Sequence, residues 1–346
     1  MKRILVIRTG AIGDVIMASP MIRVMRDAWP EAYLAWLVEP SNKVLLAHHP
    51  MLDEIICWPK GEWHRLLKNG CFLSLASRIR QFSRDLRQRR FSLAIDAQGL
   101  ARTRLFARLS GATERIGFDS KEPGRFLMNR IIARGGHIEY MSSEYYHLMK
   151  TMTLAPGTFA PEIFLTDGIR ARARETLQVQ KVTDQYLVIC PFTTRPQKEW
   201  PDDRWAQLVT DLHAQHALPV VMLGGRQDIE HSRQIQNMTG DYLRNLTGQT
   251  TLIESAAVIE KSILVAGVDT GLTHMGTAFR RPTIALFGST CPYLKTPSKQ
   301  TTVIYNRLPC APCRHKPTCD GKHTCMDSIS VEQVCLTAKK VINQSG

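Results

Sequence analysis

Ten short runs rich in valine, isoleucine and leucine recur along this 346-residue chain, and between them lie longer stretches of helical period. They fall at residues 4–7, 34–38, 54–58, 93–96 and 115–118, and again at 186–191, 219–223, 262–268, 283–287 and 302–305. Strands that alternate with helices predict an α/β fold, with parallel sheets covered on both faces. After the first run, Val15, Ala18, Met21, Ile22, Met25 and Trp29 are spaced as one apolar helix face. The segment 155–161, APGTFAP, breaks the alternation with two prolines and a glycine before it restarts. It predicts a linker there, with one domain over residues 1–160 and a second from residue 161. Ligands of open α/β sheets bind beyond the carboxyl ends of the strands, so the turns at those ends carry the functional reading.

Composition narrows the partners. Lys and Arg number 45 against 31 Asp and Glu, a net charge of +14 that favours polyanions: nucleic acid, an acidic membrane surface or phosphorylated substrates. Aromatic residues make up 7% and do not interleave with the basic runs as a base-stacking platform requires, so no nucleic-acid partner is predicted. The first apolar run is too short for a signal peptide, and no segment is long and uncharged enough to span a bilayer, which predicts a cytoplasmic protein with reduced cysteines. Residues 1–165 hold 24 Lys and Arg against 15 Asp and Glu, or +9. Much of that lies in 74–90, where Arg78, Arg80, Arg84, Arg87, Arg89 and Arg90 face a single Asp85, with Leu75, Ile79, Phe82 and Leu86 at helical spacing. This basic amphipathic helix suits an anionic membrane surface; it equally suits an ordinary packed helix with a solvated face.

Two glycine turns follow strands. The first, RTGAIGD at 8–14, has Gly-x-x-Gly in place of Gly-x-Gly-x-x-Gly, which removes the dinucleotide fingerprint and with it the main support for an oxidoreductase or epimerase. Asp14 falls in the first helical turn, where the positive end of the helix dipole stabilises a carboxylate; it can serve as a general base or as a cap. The second turn, GVDTGLTH at 267–274, can offer the amides of Thr270 and Gly271 to a diphosphate while Asp269 and His274 order the backbone, or it can be a capped turn alone. The loop PFTTRPQKEW at 191–200 adds two hydroxyls, Thr193 and Thr194, and the cation Lys198.

These motifs, with IDAQGL at 95–100 between them, stand in the order and at the separations that resemble glycosyltransferase family 9, the ADP-heptose:lipopolysaccharide heptosyltransferases, over nearly the whole chain. The resemblance implies a GT-B architecture, two Rossmann-like domains facing across a cleft. The first would bind a lipid-linked acceptor, the lipid A and Kdo portion of lipopolysaccharide; the second, 161–329, would bind ADP-heptose. Residues 330–346 would form a helix that packs back on the first domain. Asp14 matches the family's base. Thr193, Thr194 and Lys198 match the diphosphate loop, and Asp269, Thr270, Gly271, Leu272 and His274 match the donor turn. Asp228 and Glu230 are both candidates for the ribose. Acceptor contacts would come from Gly13, Gln98 and, in an irregular Trp-containing stretch after the third strand, Lys60, Arg65 and Lys68. Inverting transfer without a divalent metal, at the inner face of the cytoplasmic membrane, is the implied chemistry and place, and another sugar donor within the family is the alternative.

Cys310, Cys313, Cys319 and Cys325, with His315 and His323 among them, are spaced like zinc ligands. A structural zinc and a reduced or partly disulfide-linked loop are the alternatives. Cys57, Cys71, Cys190, Cys291 and Cys335 stand alone and read as small core or surface residues.

Overall fold

A computed structural model describes every residue except Ile138, Ala155, Pro156, Thr183, 314–316, Ser345 and Gly346. The chain divides into unit 1, Met1–His137 with Ser142–Phe164, and unit 2, Ile138–Met141 with Leu165–Gly346. The break at 164 lies just past the proline-rich segment, whose Ala155 and Pro156 are outside the described residues.

Unit 1 holds β1 (Arg3–Ile7), β2 (Tyr33–Val38), β3 (Glu54–Cys57), β4 (Leu93–Asp96), β5 (Glu114–Phe118) and β6 (Arg130–Ile132), all parallel, in the order β3-β2-β1-β4-β5-β6. Unit 2 repeats the plan with β7 (Leu187–Cys190), β8 (Val220–Met222), β9 (Leu243–Asn245), β10 (Leu264–Val268), β11 (Thr283–Phe287) and β12 (Thr301–Tyr305), in the order β12-β11-β10-β7-β8-β9. Counted within its own unit, each sheet runs 3-2-1-4-5-6, the doubly wound order. The strands read as continuous apolar runs because both faces are covered. Leu5 and Ile7 of β1 pack with Phe82, Leu86 and Phe106, while Ile4 and Val6, pointing the other way, are equally buried. The two strands without a sequence signal, β6 and β9, are three-residue edge strands carrying Arg130, Arg244 and Asn245.

The apolar face after β1 is buried as its spacing predicts, but in two helices, Ile12–Ala18 and Pro20–Ala28. Pro20 brings no N–H to a continuous ladder and takes the first position of the second helix. The basic segment forms the helix Phe72–Gln88, with Phe82 and Leu86 buried. The stretch expected to be irregular after β3 is instead the helix Lys60–Lys68, held by the Trp63 ring against Phe82 at 5.5 Å.

The carboxyl-terminal helix is Val331–Asn343. Its stripe of Val334, Cys335, Ala338 and Val341 is part of the unit 2 core with Trp205, Leu208 and Leu212. Trp200 fixes its approach, donating from Nε1 to the Ile329 carbonyl at 3.0 Å. Among the described residues no helix is long and apolar enough to cross a membrane.

Candidate functional site

Parallel strands deliver their connecting turns to one edge of each sheet, and the motif residues lie on those turns. In unit 1 the turn after β1 is clamped on both sides. The Thr9 N–H and hydroxyl both donate to Gln98 Oε1, at 3.0 and 2.9 Å, and the Thr9 carbonyl accepts from the Glu39 N–H and from Asn42 Nδ2, each at 3.0 Å. Trp36 Nε1 donates to the Arg8 carbonyl at 3.1 Å. Gly10 is required by close approach: a Cβ there would sit 3.0 Å from Asn42 Nδ2.

The contacts of Asp14 can be assigned to single atoms. Oδ2 accepts the Ala11 N–H at 3.1 Å, which is the capping role, and lies 2.6 Å from Nη2 of the buried Arg8. Both contacts fall on Oδ2; Oδ1 has no partner among the described residues, and the side chain is 38% exposed. One carboxylate oxygen is therefore fixed and the other left open. Gly13 precedes it in the same helical turn.

Gln98 sits at the end of β4 with its amide oxygen taken by Thr9, which leaves the amide nitrogen for a ligand. Asp96 shapes that turn, accepting from the N–H groups of Gln98 (3.0 Å) and Gly99 (2.9 Å) and from the Thr103 hydroxyl (3.0 Å). Burial pushes its carboxyl up, and those neutral donors only partly offset the shift. Lys60 reaches the same edge, its Nζ 3.0 Å from Glu39 Oε2 and 5.9 Å from the Trp58 ring centre. Arg65 and Lys68 lie one and two turns further along an exposed helix and are not gathered with it. Two cations without a motif join the edge: Arg102, 5.6 Å from the Trp58 ring centre, and Arg134, whose Nη2 donates to the Gln98 carbonyl at 2.6 Å.

In unit 2 the turns after β7, β10 and β11 share one network. Lys198 Nζ is 2.5 Å from Asp269 Oδ2 and donates to the Asp269 carbonyl at 3.2 Å, so one of its three N–H groups remains for a ligand. The Thr290 hydroxyl donates to Oδ2 at 2.7 Å, His274 Nε2 lies 3.3 Å from Oδ1, and the Tyr293 hydroxyl pairs with His274 Nδ1. Burial alone would raise the Asp269 carboxyl; His274 and Lys198 overcome it and hold the group well below the usual carboxylate range. Thr270 is the N-cap of the helix Gly271–Ala278, whose first amides, Gly271 and Leu272 among them, have no intrahelical acceptor. That helix is pressed onto its strand: a Cβ on Gly267 would fall 2.2 Å from the Thr273 hydroxyl, which itself donates to the Val268 carbonyl. The Thr193 hydroxyl accepts the Arg195 N–H at 3.4 Å, and Thr194 is exposed. Thr290 and Tyr293 carried no sequence signal beyond following β11, the neighbour of β10.

Of the two ribose candidates, Asp228 closes the turn after β8 by accepting the Gly225 N–H at 2.8 Å, and Glu230 is exposed on the next helix beside Arg233. A cavity of about 460 Å³ at the β9 edge, lined by Ile229, Arg233, Arg244, Thr247 and Gly248 among others, shares no residue with the Asp269 network. All nine cysteines are free thiols, so the disulfide alternative is not met. Burial pushes the Cys325 thiol up, and Cys310, Cys313 and Cys319 push it further, yet among the described residues no three His, Cys, Asp or Glu side chains are grouped to hold a metal. His315 is outside the described residues.

A sequence model of glycosyltransferase family 9 (heptosyltransferase) matches residues 79–323. The chain is 27% identical over 328 residues to lipopolysaccharide heptosyltransferase 1 of Pseudomonas aeruginosa, covering 93% of this chain and 88% of that one. It is 23% identical over 346 residues to lipopolysaccharide heptosyltransferase 2 of Escherichia coli K12, covering 96% of each. Among solved structures, a family 9 glycosyl transferase from Veillonella parvula superposes with a TM-score of 0.83 at 20% identity, over 99% of this chain and 97% of that one. The ADP-heptose lipopolysaccharide heptosyltransferase II of E. coli does so at 0.75 and 22%, over 100% and 99%.

Proposed function

Because the chain belongs to glycosyltransferase family 9, we propose that it moves a heptose from ADP-heptose to the inner core of a lipopolysaccharide acceptor, with Asp14 as the general base. The observation that carries this reading is the divided Asp14 carboxylate. Arg8 and the Ala11 N–H hold Oδ2, so Oδ1 is aimed and unencumbered, as a base that takes a proton from an acceptor hydroxyl must be. A single carboxylate acting on the acceptor gives one displacement, with inversion at the anomeric carbon.

Unit 2 receives the donor. The diphosphate meets the remaining N–H of Lys198, the hydroxyls of Thr193 and Thr194, and the amides of Thr270, Gly271 and Leu272 at the helix amino terminus. Preorganised donors of this kind stabilise the charge left on departing ADP, and transfer needs no divalent ion. Asp269 and His274 position the turn; Asp228 or Glu230 takes the ribose. On the acceptor side Gly13, Gln98 and Lys60 sit at the sheet edge of unit 1, and Arg65 and Lys68 take more distant phosphates. The names of the relatives support the choice of donor and acceptor. A lipid-linked acceptor puts the reaction at the cytoplasmic face of the inner membrane.

The test is product analysis with ADP-heptose and a series of truncated lipopolysaccharide acceptors. Transfer of one heptose with inverted configuration, undiminished in EDTA, is expected. Preference for a different nucleotide sugar would overturn the donor assignment, and an EDTA loss restored by Mg²⁺ or Mn²⁺ would overturn the metal-free one.

A further inference from the structure

The helices Lys60–Lys68 and Phe72–Gln88 form a hairpin whose exposed tip carries Leu67, Phe72 and Leu73 beside Lys68, Asn69 and Ser74. Every residue from 67 to 74 is exposed, with Leu67 at 53%, Phe72 at 64% and Leu73 at 89%. The tip is not a loose loop. The Cys71 N–H donates to the Leu66 carbonyl at 2.9 Å and the Gly70 N–H to the Leu67 carbonyl at 3.1 Å, with Gly70 at φ +69°. That pairing closes the first helix with its last carbonyls satisfied. The Phe72 N–H donates to the Gly70 carbonyl at 2.9 Å.

Three large apolar side chains held on an ordered turn mark a contact surface, and the charge around them says with what. Residues 60–90 contain nine Lys and Arg against Glu62 and Asp85. Of these two acids, Glu62 pairs with Arg78 at 2.9 Å and Asp85 accepts from Gln81. Leu73, Arg80, Arg84 and Arg87 are spaced seven, four and three residues apart, which sets them along one face of the second helix, opposite in character to the buried Phe82 and Leu86. A second copy of this chain would bring arginines against arginines. An anionic bilayer instead offers acyl chains to the tip and headgroups to the arginines.

We infer that this hairpin tip is the membrane anchor of the protein: Leu67, Phe72 and Leu73 insert at the acyl boundary of an anionic leaflet, and Arg80, Arg84 and Arg87 lie against its headgroups. The inference deepens the proposed function, and rests on it only for why a lipid surface is needed. It assigns membrane contact to the turn, where the sequence pointed to the length of the basic helix.

The experiment is co-sedimentation of the full chain with phosphatidylcholine vesicles, with and without phosphatidylglycerol. The wild type binds the anionic vesicles. Phe72→Ser with Leu73→Ser lowers that partitioning about 100-fold. Arg80→Gln with Arg84→Gln lowers it about 20-fold and weakens the dependence on anionic lipid. All four positions are exposed, and unchanged thermal unfolding confirms folded variants. Wild-type binding that survives Phe72→Ser/Leu73→Ser overturns the anchor. So does loss on arginine replacement alone, which marks a polyanion site, or self-association abolished by the apolar pair without vesicle binding, which marks a dimer surface. The two readings separate in one assay. The Phe72/Leu73 variant keeps transfer to a lipid-free acceptor fragment and loses it to acceptor in vesicles. Vesicle binding without any heptose transfer sinks the functional reading alone, and transfer without vesicle binding sinks the anchor alone.

Discussion

Asp96 and Asp269 both lie at the carboxyl end of the fourth strand of their unit, Asp96 as the last residue of β4 and Asp269 just past β10, and their surroundings oppose each other. Asp96 accepts hydrogen bonds from two backbone N–H groups and a threonine hydroxyl, and burial pushes its carboxyl up against these donors and the weaker pull of the buried Arg104 charge. Asp269 meets Lys198 and His274 and is held down. The first strands reverse the arrangement: the turn after β1 ends in the open carboxylate of Asp14, while the turn after β7 brings Lys198. One fold has thus been loaded twice, once with a carboxylate that keeps an oxygen open and once with a cation and helix amides gathered at one edge. In unit 1 the fourth-strand aspartate shapes a turn; in unit 2 it sets the position of a charge.

The sharpest way to break that division is to remove the open carboxylate. Asp14→Asn keeps an acceptor for the Ala11 N–H and loses the base, so kcat falls about 10²–10⁴-fold. Calorimetry should find ADP binding unchanged, because unit 2 is untouched. Near wild-type turnover would take Asp14 out of the chemistry. Next in size, Lys198→Met or Asp269→Ala removes a charged hydrogen bond, about 10–100-fold in ADP-heptose affinity. The matched change Asp96→Asn should leave donor affinity alone and alter only stability; equal donor effects at the two aspartates would end the contrast.

Much of this was legible in the chain, for reasons that also explain the gaps. Strands buried on both faces announce themselves as apolar runs, and the glycine turns after β1 and β10 are local in sequence. The edge strands Arg130–Ile132 and Leu243–Asn245 are too short and too polar to leave a period. The helix Lys60–Lys68 buries no residue completely and is fixed by Trp63 against Phe82, a tertiary contact that no local pattern encodes. The same limit hid Thr290 and Tyr293, which reach Asp269 and His274 only because β11 pairs beside β10. The division of labour between the two oxygens of Asp14 depends on Arg8 folding back over the turn, which spacing cannot show.

Tyr293 tests how far the unit 2 network extends. Its hydroxyl is buried against His274 Nδ1 and touches no residue that the motifs name apart from that histidine. Tyr293→Phe deletes one neutral hydrogen bond, about 1 kcal/mol, so the KM for ADP-heptose should rise about five-fold with kcat little changed. A larger loss confined to kcat would mean that the ring reaches the reacting atoms.

The smallest effect bears most directly on the paired aspartates, through the sign of their pH dependence. A carboxyl held below its unfolded value stabilises the fold at pH above about 4, and that contribution fades as acid carries the pH down through the folded value. Asp269 should therefore lose its advantage over Asp269→Asn on acidification. A carboxyl pushed up behaves oppositely: its contribution is present below about pH 4 and is lost as rising pH carries it through the folded value. The stability of wild type relative to Asp96→Asn should accordingly improve as the pH falls. Hydrogen exchange at the amides of β4 and β10, followed from neutral pH down through about pH 4 to about pH 2 in wild type and both variants, reads each unit separately. Opposite slopes are expected. Slopes of one sign would show that the two turns differ in sequence but not in electrostatics.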